Sequence, residues 1–203
     1  MRKEGRICKV PVLEIPVNTF WDIGGTAGTA IWVIQTVGVE DRCIDFYEAH
    51  NETYAHATRW LNERGYLYNK HFLPHDAAHE RQLPDANKSP QQMLEELGLT
   101  NTEIVPVIRS LDVGIELMRK YFPMLYMDEE RCKAGIEHLD LYKRKFDSRN
   151  GTYRNEPEKH DGHSEAPDSL RQYAQAKELN MITLAGSTVS SMGRRPAPDW
   201  RTA

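Results

Sequence analysis

Val17 to Thr29 reads VNTFWDIGGTAGT, an alternating apolar run that ends on one acid, Asp22, and then breaks into glycines. In a strand the period of two places Thr19 and Trp21 on one side and Asn18, Phe20 and Asp22 on the other. Gly24, Gly25 and Gly28 turn the chain, and Ala30 to Val37 returns as a second, more apolar strand. A carboxylate closing the first strand of a hairpin either helps end that strand in a turn or faces a ligand. What arrives beside it decides between the two.

Arg42 to Glu48 (RCIDFYE) predicts a third strand, joined to the second by the polar link Gly38 to Asp41, so the three form a meander. Asn51 to Arg64 has helical spacing at Tyr54, Ala57, Trp60 and Leu61, with Gly65 as its stop, and Lys70 to Asp76 (KHFLPHD) follows as strand four. A strand, a helix and a strand in succession make a right-handed crossover with parallel strands. Strands one, three and four therefore run the same way, which brings Asp22, Glu48 and Asp76 to one edge of the sheet, the edge where open α/β sheets bind ligands.

Further on, Ser89, Pro90 and Gln92 spell a capping box for a helix whose buried stripe is Met93, Leu94 and Leu97, ended by Gly98. Glu103 to Val107 is expected as the fifth strand. Asp112 and Asp128 are read as the starts of two covering helices, one carrying Ile115, Met118 and Phe122, the other Cys132, Ile136 and Leu139. Lys143 to Asn155 (KRKFDSRNGTYRN) turns at Asn150 and Gly151 and predicts a basic hairpin. Its cations Lys143, Arg144, Lys145, Arg149 and Arg154, with Phe146 and Tyr153 interleaved, suit either a solvated surface or contact with phosphates. The last helix buries Leu170, Tyr173 and Ala174 and carries Asp168 in its first turn.

Composition limits the function classes. The chain has 203 residues, 39% of them hydrophobic and 28% charged, with a net charge of -4, which suits one main domain with a single core. We expect it over residues 17–179, after a lead-in at 1–16 and before a flexible tail at 180–203. Cys8, Cys43 and Cys132 lie far apart and form no CxxC pair, so the sequence indicates neither a disulfide framework nor a thiolate zinc site. No apolar run approaches the roughly 18 residues of a membrane span, and the N-terminus lacks a signal-peptide core. The expectation is a cytoplasmic protein without a membrane partner. There is no GxSxG, HExxH or GxxxxGK[ST], so a serine triad, a zincin and a P-loop ATPase motor are not expected in this chain. Carboxylates without thiolates select Mg²⁺ or Mn²⁺, and two such ions held by them would hydrolyse a phosphodiester without a protein nucleophile.

TFWDIGGTAGTAIW, IDFYE, LPHDA and HDGHSEAPDSLRQYA, in this order, resemble the nuclease domain of the large terminase subunit of tailed bacteriophages over about Val17 to Ala176. The resemblance implies a ribonuclease H-like fold, a mixed five-stranded sheet with strand two antiparallel to the others, flanked by helices, to which this chain adds the basic hairpin. It also implies an endonuclease, encoded by a phage and working in the host cytoplasm, that cuts concatemeric double-stranded DNA as heads fill. The ATPase motor, portal protein and small terminase subunit would be its partners. Carried over, Asp22, Asp76 and Asp168 match the three metal ligands, although the closing motif often reads HAADA where this chain has SEAPDS. Asp161 is a candidate substitute or fourth ligand, Glu48 is either an ordinary strand-end acid or a group that reaches the second ion directly or through water, and His75 and His163 are expected as hydrogen-bond partners of ligands rather than ligands. Two rival readings remain open: a module that docks on portal or motor with a latent nuclease, and a resolvase- or transposase-type nuclease on the same fold.

Overall fold

A computed structural model describes residues 1–24, 28–82, 87–108, 110–147, 152–157 and 164–182, with the backbone alone at 81–82, 144–147 and 152–157. In chain order its strands are β1 (Ile7–Cys8), β2 (Val17–Gly24), β3 (Gly28–Val37), β4 (Glu40–Ala49), β5 (Tyr68–Leu73), β6 (Arg81–Gln82), β7 (Asn87–Lys88), β8 (Thr102–Ile104), β9 (Leu125–Asp128), β10 (Arg144–Asp147) and β11 (Thr152–Pro157). The helices are α1 (Tyr54–Arg64), α2 (Pro90–Glu96), α3 (Leu111–Tyr121), α4 (Lys133–Leu141) and α5 (Glu165–Glu178).

The main sheet has the order β1-β9-β4-β3-β2-β5-β8, and β3 alone runs against its neighbours. The expected five-strand core is therefore present, and two more strands extend it beyond β4. β9 was not legible as a strand, and an edge strand that Val10, Val12 and Leu13 could add in the lead-in forms earlier, at Ile7–Cys8. Leu125 and Met127 are buried and alternate with Tyr126 as a strand requires, and Asp128, expected to open a helix, instead ends β9. Its carboxylate accepts the backbone amides of Val10, Glu130 and Arg131, so the chain turns there and α4 starts only at Lys133. The lead-in likewise contributes β1 and the buried Val10 to the sheet's edge.

Smaller differences have local causes. The capping box at Ser89 and Gln92 forms in full, but Leu97 lies at the C-terminal cap of α2 and is exposed, while Leu99, past the turn at Gly98, is buried. The N-cap of α3 is Ser110, with Asp112 inside its first turn, and the fifth strand is the shorter β8. Gly65 closes α1 in the left-handed conformation, as expected of a glycine stop.

The alternation of β2, β3 and β4 gives the sheet two faces. Phe20, Trp32, Cys43, Phe46 and Phe72 pack with residues of α3, α4 and α5 on one, and Trp21, Ile31, Tyr47 and Leu73 pack with α1 and α2 on the other. α5 lies across β2 and β3 and is fastened at both ends. Near its start Trp32 Nε1 donates to the Ala166 carbonyl at 2.9 Å. Farther along, the Tyr173 hydroxyl donates to Asp41 Oδ2 at 2.7 Å and Lys177 pairs with the same carboxylate, which is fully buried. Those anchors fix which strand ends the first turn of α5 overhangs.

Candidate active site

Asp22 lies near the end of β2, in register with Ala30 on β3, which is in register with Glu48 on β4. All three sit on the face that α5 covers, and two strand spacings of about 4.8 Å separate the backbones of Asp22 and Glu48. On the other side of Asp22, β5 ends at Leu73. Pro74 then starts a single 3₁₀ turn, His75–Ala78, that carries Asp76. Asp168 comes from above, in the first turn of α5, with Arg171 Nη2 2.9 Å from its Oδ1.

Burial and neighbouring charge set the titration of Asp22. The carboxyl of Asp22 is pushed up from 3.8 to about 7, chiefly because burial penalises its charge. The negative charge of Asp168 adds to the rise, Arg171 opposes it, and Glu165 and Asp76 raise it further. Asp22, at the end of β2, thus feels the negative charge of both Asp168 on α5 and Asp76 after β5. Glu48 faces a second group. His138 Nε2 on α4 lies 2.7 Å from its Oε2 and His50 Nε2 lies 3.7 Å from its Oε1. Burial raises the Glu48 carboxyl, the two histidines oppose that, and Glu165 adds to it.

Glu165, His138 and Arg171 were not singled out by sequence. Each owes its place to the docking of α4 and α5, although Glu165 carries one legible signal, its position three residues before Asp168 on the same helix. Among the described residues, the side-chain oxygens Glu48 Oε1 and Glu165 Oε2 and the nitrogen Arg171 Nη1 are buried without a hydrogen-bond partner. His75 is exposed, its ring edge-on to that of His79. The histidines facing a site acid among the described residues are His138 and His50. Asp161, His163 and Arg149 lie outside the described residues.

The basic hairpin forms as β10 paired antiparallel with β11, Phe146 in register with Tyr153. It carries Arg144, Lys145 and Arg154 on its strands, with Lys143 exposed just before them. β11 packs against α3, and α3 against α5, so the hairpin belongs to the helical layer that holds Asp168.

No group of three or more His, Cys, Asp or Glu among the described residues is gathered closely enough to hold a metal by itself. That fits repelling carboxylates better than a preformed cage, since Mg²⁺ takes one or two carboxylates and completes its shell with water and substrate phosphate. The acids present suit such a cation: all offer hard oxygens, and Asp22 carries a charge its surroundings disfavour.

No family model and no curated protein matches the chain. Solved structures do. The large terminase of a thermophilic bacteriophage, in complex with ADP, aligns with a TM-score of 0.63 at 13% identity, covering 87% of this chain and 43% of that one. The nuclease domain of the P22 large terminase aligns with a TM-score of 0.60 at 15% identity, covering 86% and 89%. The nuclease domain of the SPP1 large terminase, g2p, with bound Mn, aligns with a TM-score of 0.56 at 13% identity, covering 80% and 86%. The chain thus spans less than half of the thermophilic phage protein and most of each isolated nuclease domain. By structure, the described chain has the ribonuclease H-like fold of the large terminase nuclease domains.

Proposed function

We propose that this chain is a divalent-metal-dependent endonuclease that cuts double-stranded DNA, the nuclease part of a bacteriophage genome-packaging terminase working in the host cytoplasm. What supports it is the position of Asp22 at the end of β2, where burial and the charges of Asp168 and Asp76 raise its carboxyl to about 7, on a fold shared with the P22 and SPP1 nucleases. On this reading Asp22, Asp76 and Asp168 supply the carboxylate oxygens for two Mg²⁺ or Mn²⁺ ions. When bound, the ions supply Lewis-acid activation of the attacking water and stabilise the leaving oxygen of the phosphodiester.

The protein's own residues hold and orient. Arg171 braces Asp168 and offsets part of the repulsion at Asp22. Lys143, Arg144, Lys145, Arg149 and Arg154 guide the DNA backbone toward the acids by charge, without reading sequence. In the assembled packaging machine the ATPase motor, portal protein and small subunit would deliver the DNA.

The test is plasmid cleavage by the chain with Mn²⁺ or Mg²⁺, with excess chelator, and by Asp22→Asn. Metal-dependent nicking that the variant and the chelator both abolish supports the reading. Intact plasmid with every metal, from a folded protein that still binds DNA, would reject it in favour of a docking role. Preferential cutting of branched junctions over plasmid would move the substrate to the resolvase class.

A further inference from the structure

We propose that Gly114 on α3 is a notch that seats Arg171, and that the two act as positioning residues for Asp168. The proposal deepens the nuclease reading and rests on it for the consequence in cleavage, while the seating itself stands on geometry.

Gly114 lies inside an 11-residue helix, where glycine costs backbone entropy and alanine is the better helix former. Close approach explains it. A Cβ at Gly114 would stand 3.3 Å from Arg171 Cδ, 3.8 Å from Arg171 Nε and 3.7 Å from Gln175 Nε2. Arg171 and Gln175 are four residues apart on α5 and so share one of its faces, which the bare backbone of α3 meets at Gly114. α3 thus touches the stem of Arg171 where the guanidinium begins.

Among the described residues the head of Arg171 pairs with Asp168. Nη2 lies 2.9 Å from Asp168 Oδ1, whereas Nη1 is buried without an acceptor. A solvated pair three residues apart on a helix would be loose and worth little. This one is recessed: the Arg171 side chain is 16% exposed and that of Asp168 22%. The stem also borders a cavity of about 230 Å³ whose wall includes Ile115, Met118, Phe122, Leu139 and Leu170. That space lets the arginine shift without parting the helices. A methyl at 114 therefore displaces Arg171, and the carboxylate it holds loses its set direction.

The test compares the full 203-residue chain as wild type, Gly114→Ala, Arg171→Lys and Val113→Ala, the last changing a 48% exposed neighbour on the same helix. Circular dichroism melts verify folding. Metal-free NMR follows the guanidinium N–H resonances of Arg171, identified by their absence in Arg171→Lys. We expect them to move toward free-arginine values in Gly114→Ala and in Asp168→Asn, and to stay in place in Val113→Ala. In plasmid cutting at saturating Mn²⁺, kcat should fall about tenfold in Gly114→Ala with KM for DNA unchanged, because a slightly misplaced ligand acts on the chemical step. Arg171→Lys keeps the charge but not the planar fork and should lower kcat by a similar factor. Should Gly114→Ala not fold, this variant decides alone. Unmoved resonances or wild-type kcat in Gly114→Ala overturn the proposal, and so does wild-type kcat in Arg171→Lys. A wild type that cuts no DNA with any metal rejects the nuclease reading, and the resonances then decide the seating by themselves.

Discussion

Replacing Asp22 with asparagine should stabilise the metal-free protein while abolishing cleavage, and the gain should grow with pH. In the folded chain the carboxyl titrates at about 7, against 3.8 in an unstructured one, so the native state holds a proton that the unfolded state releases. Stability from this group is whole below the lower value and is lost as pH rises through the upper one. At 1.36 kcal/mol per pH unit the full loss approaches ~4 kcal/mol, a ceiling because Asp22 is recessed and not fully enclosed. Between about pH 5 and about pH 8 the wild type should lose roughly 2–3 kcal/mol relative to Asp22→Asn. For a chain of this size that is a difference of about 4–10 °C in Tm. His71, whose titration burial pushes down to about 4, acts with the opposite sign and cancels between the two proteins. Thermal melts of both in excess chelator across that range measure the effect. A difference in Tm that stays flat with pH would refute both the burial of the charge and its repulsion by Asp168.

Charge reversal at Lys143, Arg144 and Lys145 should weaken DNA binding and flatten its salt dependence by about 0.9 in log–log slope for each phosphate contact removed, read by anisotropy titration. Tyr173→Phe withdraws a donor from the buried Asp41 and should cost about 1–2 kcal/mol in urea unfolding. Gly135→Ala would put a methyl 2.5 Å from Trp32 Cη2 and 2.9 Å from Phe46 Cγ. It should cost about 1–3 kcal/mol, and because α4 also carries His138, a chemical-shift change at that ring should accompany the loss.

Much of the scaffold was legible because local rules and global architecture agree. The break from alternating residues to glycines after Asp22, the capping box at Ser89 and the glycine stop at Gly65 each report a short stretch of backbone. The direction of β5 followed from a crossover rule, and with it the shared edge of Asp22, Glu48 and Asp76. What escaped was set by distant partners. β9 is four residues long, and its terminal Asp128 has the chemistry of a helix cap; pairing with β1 and β4, both far away in sequence, is what makes it a strand. Glu165 was not singled out, because its place is set by Trp32, which pins the neighbouring carbonyl of Ala166 to β3. His138 sits on a helix whose facing partner, Glu48, belongs to a strand formed much earlier in the chain. Such pairings leave no periodicity for sequence reading to find.

The double fastening of α5 also sets a timetable. A polypeptide emerging from the ribosome can complete β2 and β5, with Asp22 and Asp76, long before residues near Trp32 and Asp41 receive their final helix. Under the proposed function the newborn protein is harmless to nearby chromosomes, and it becomes able to cut only when its closing segment seats.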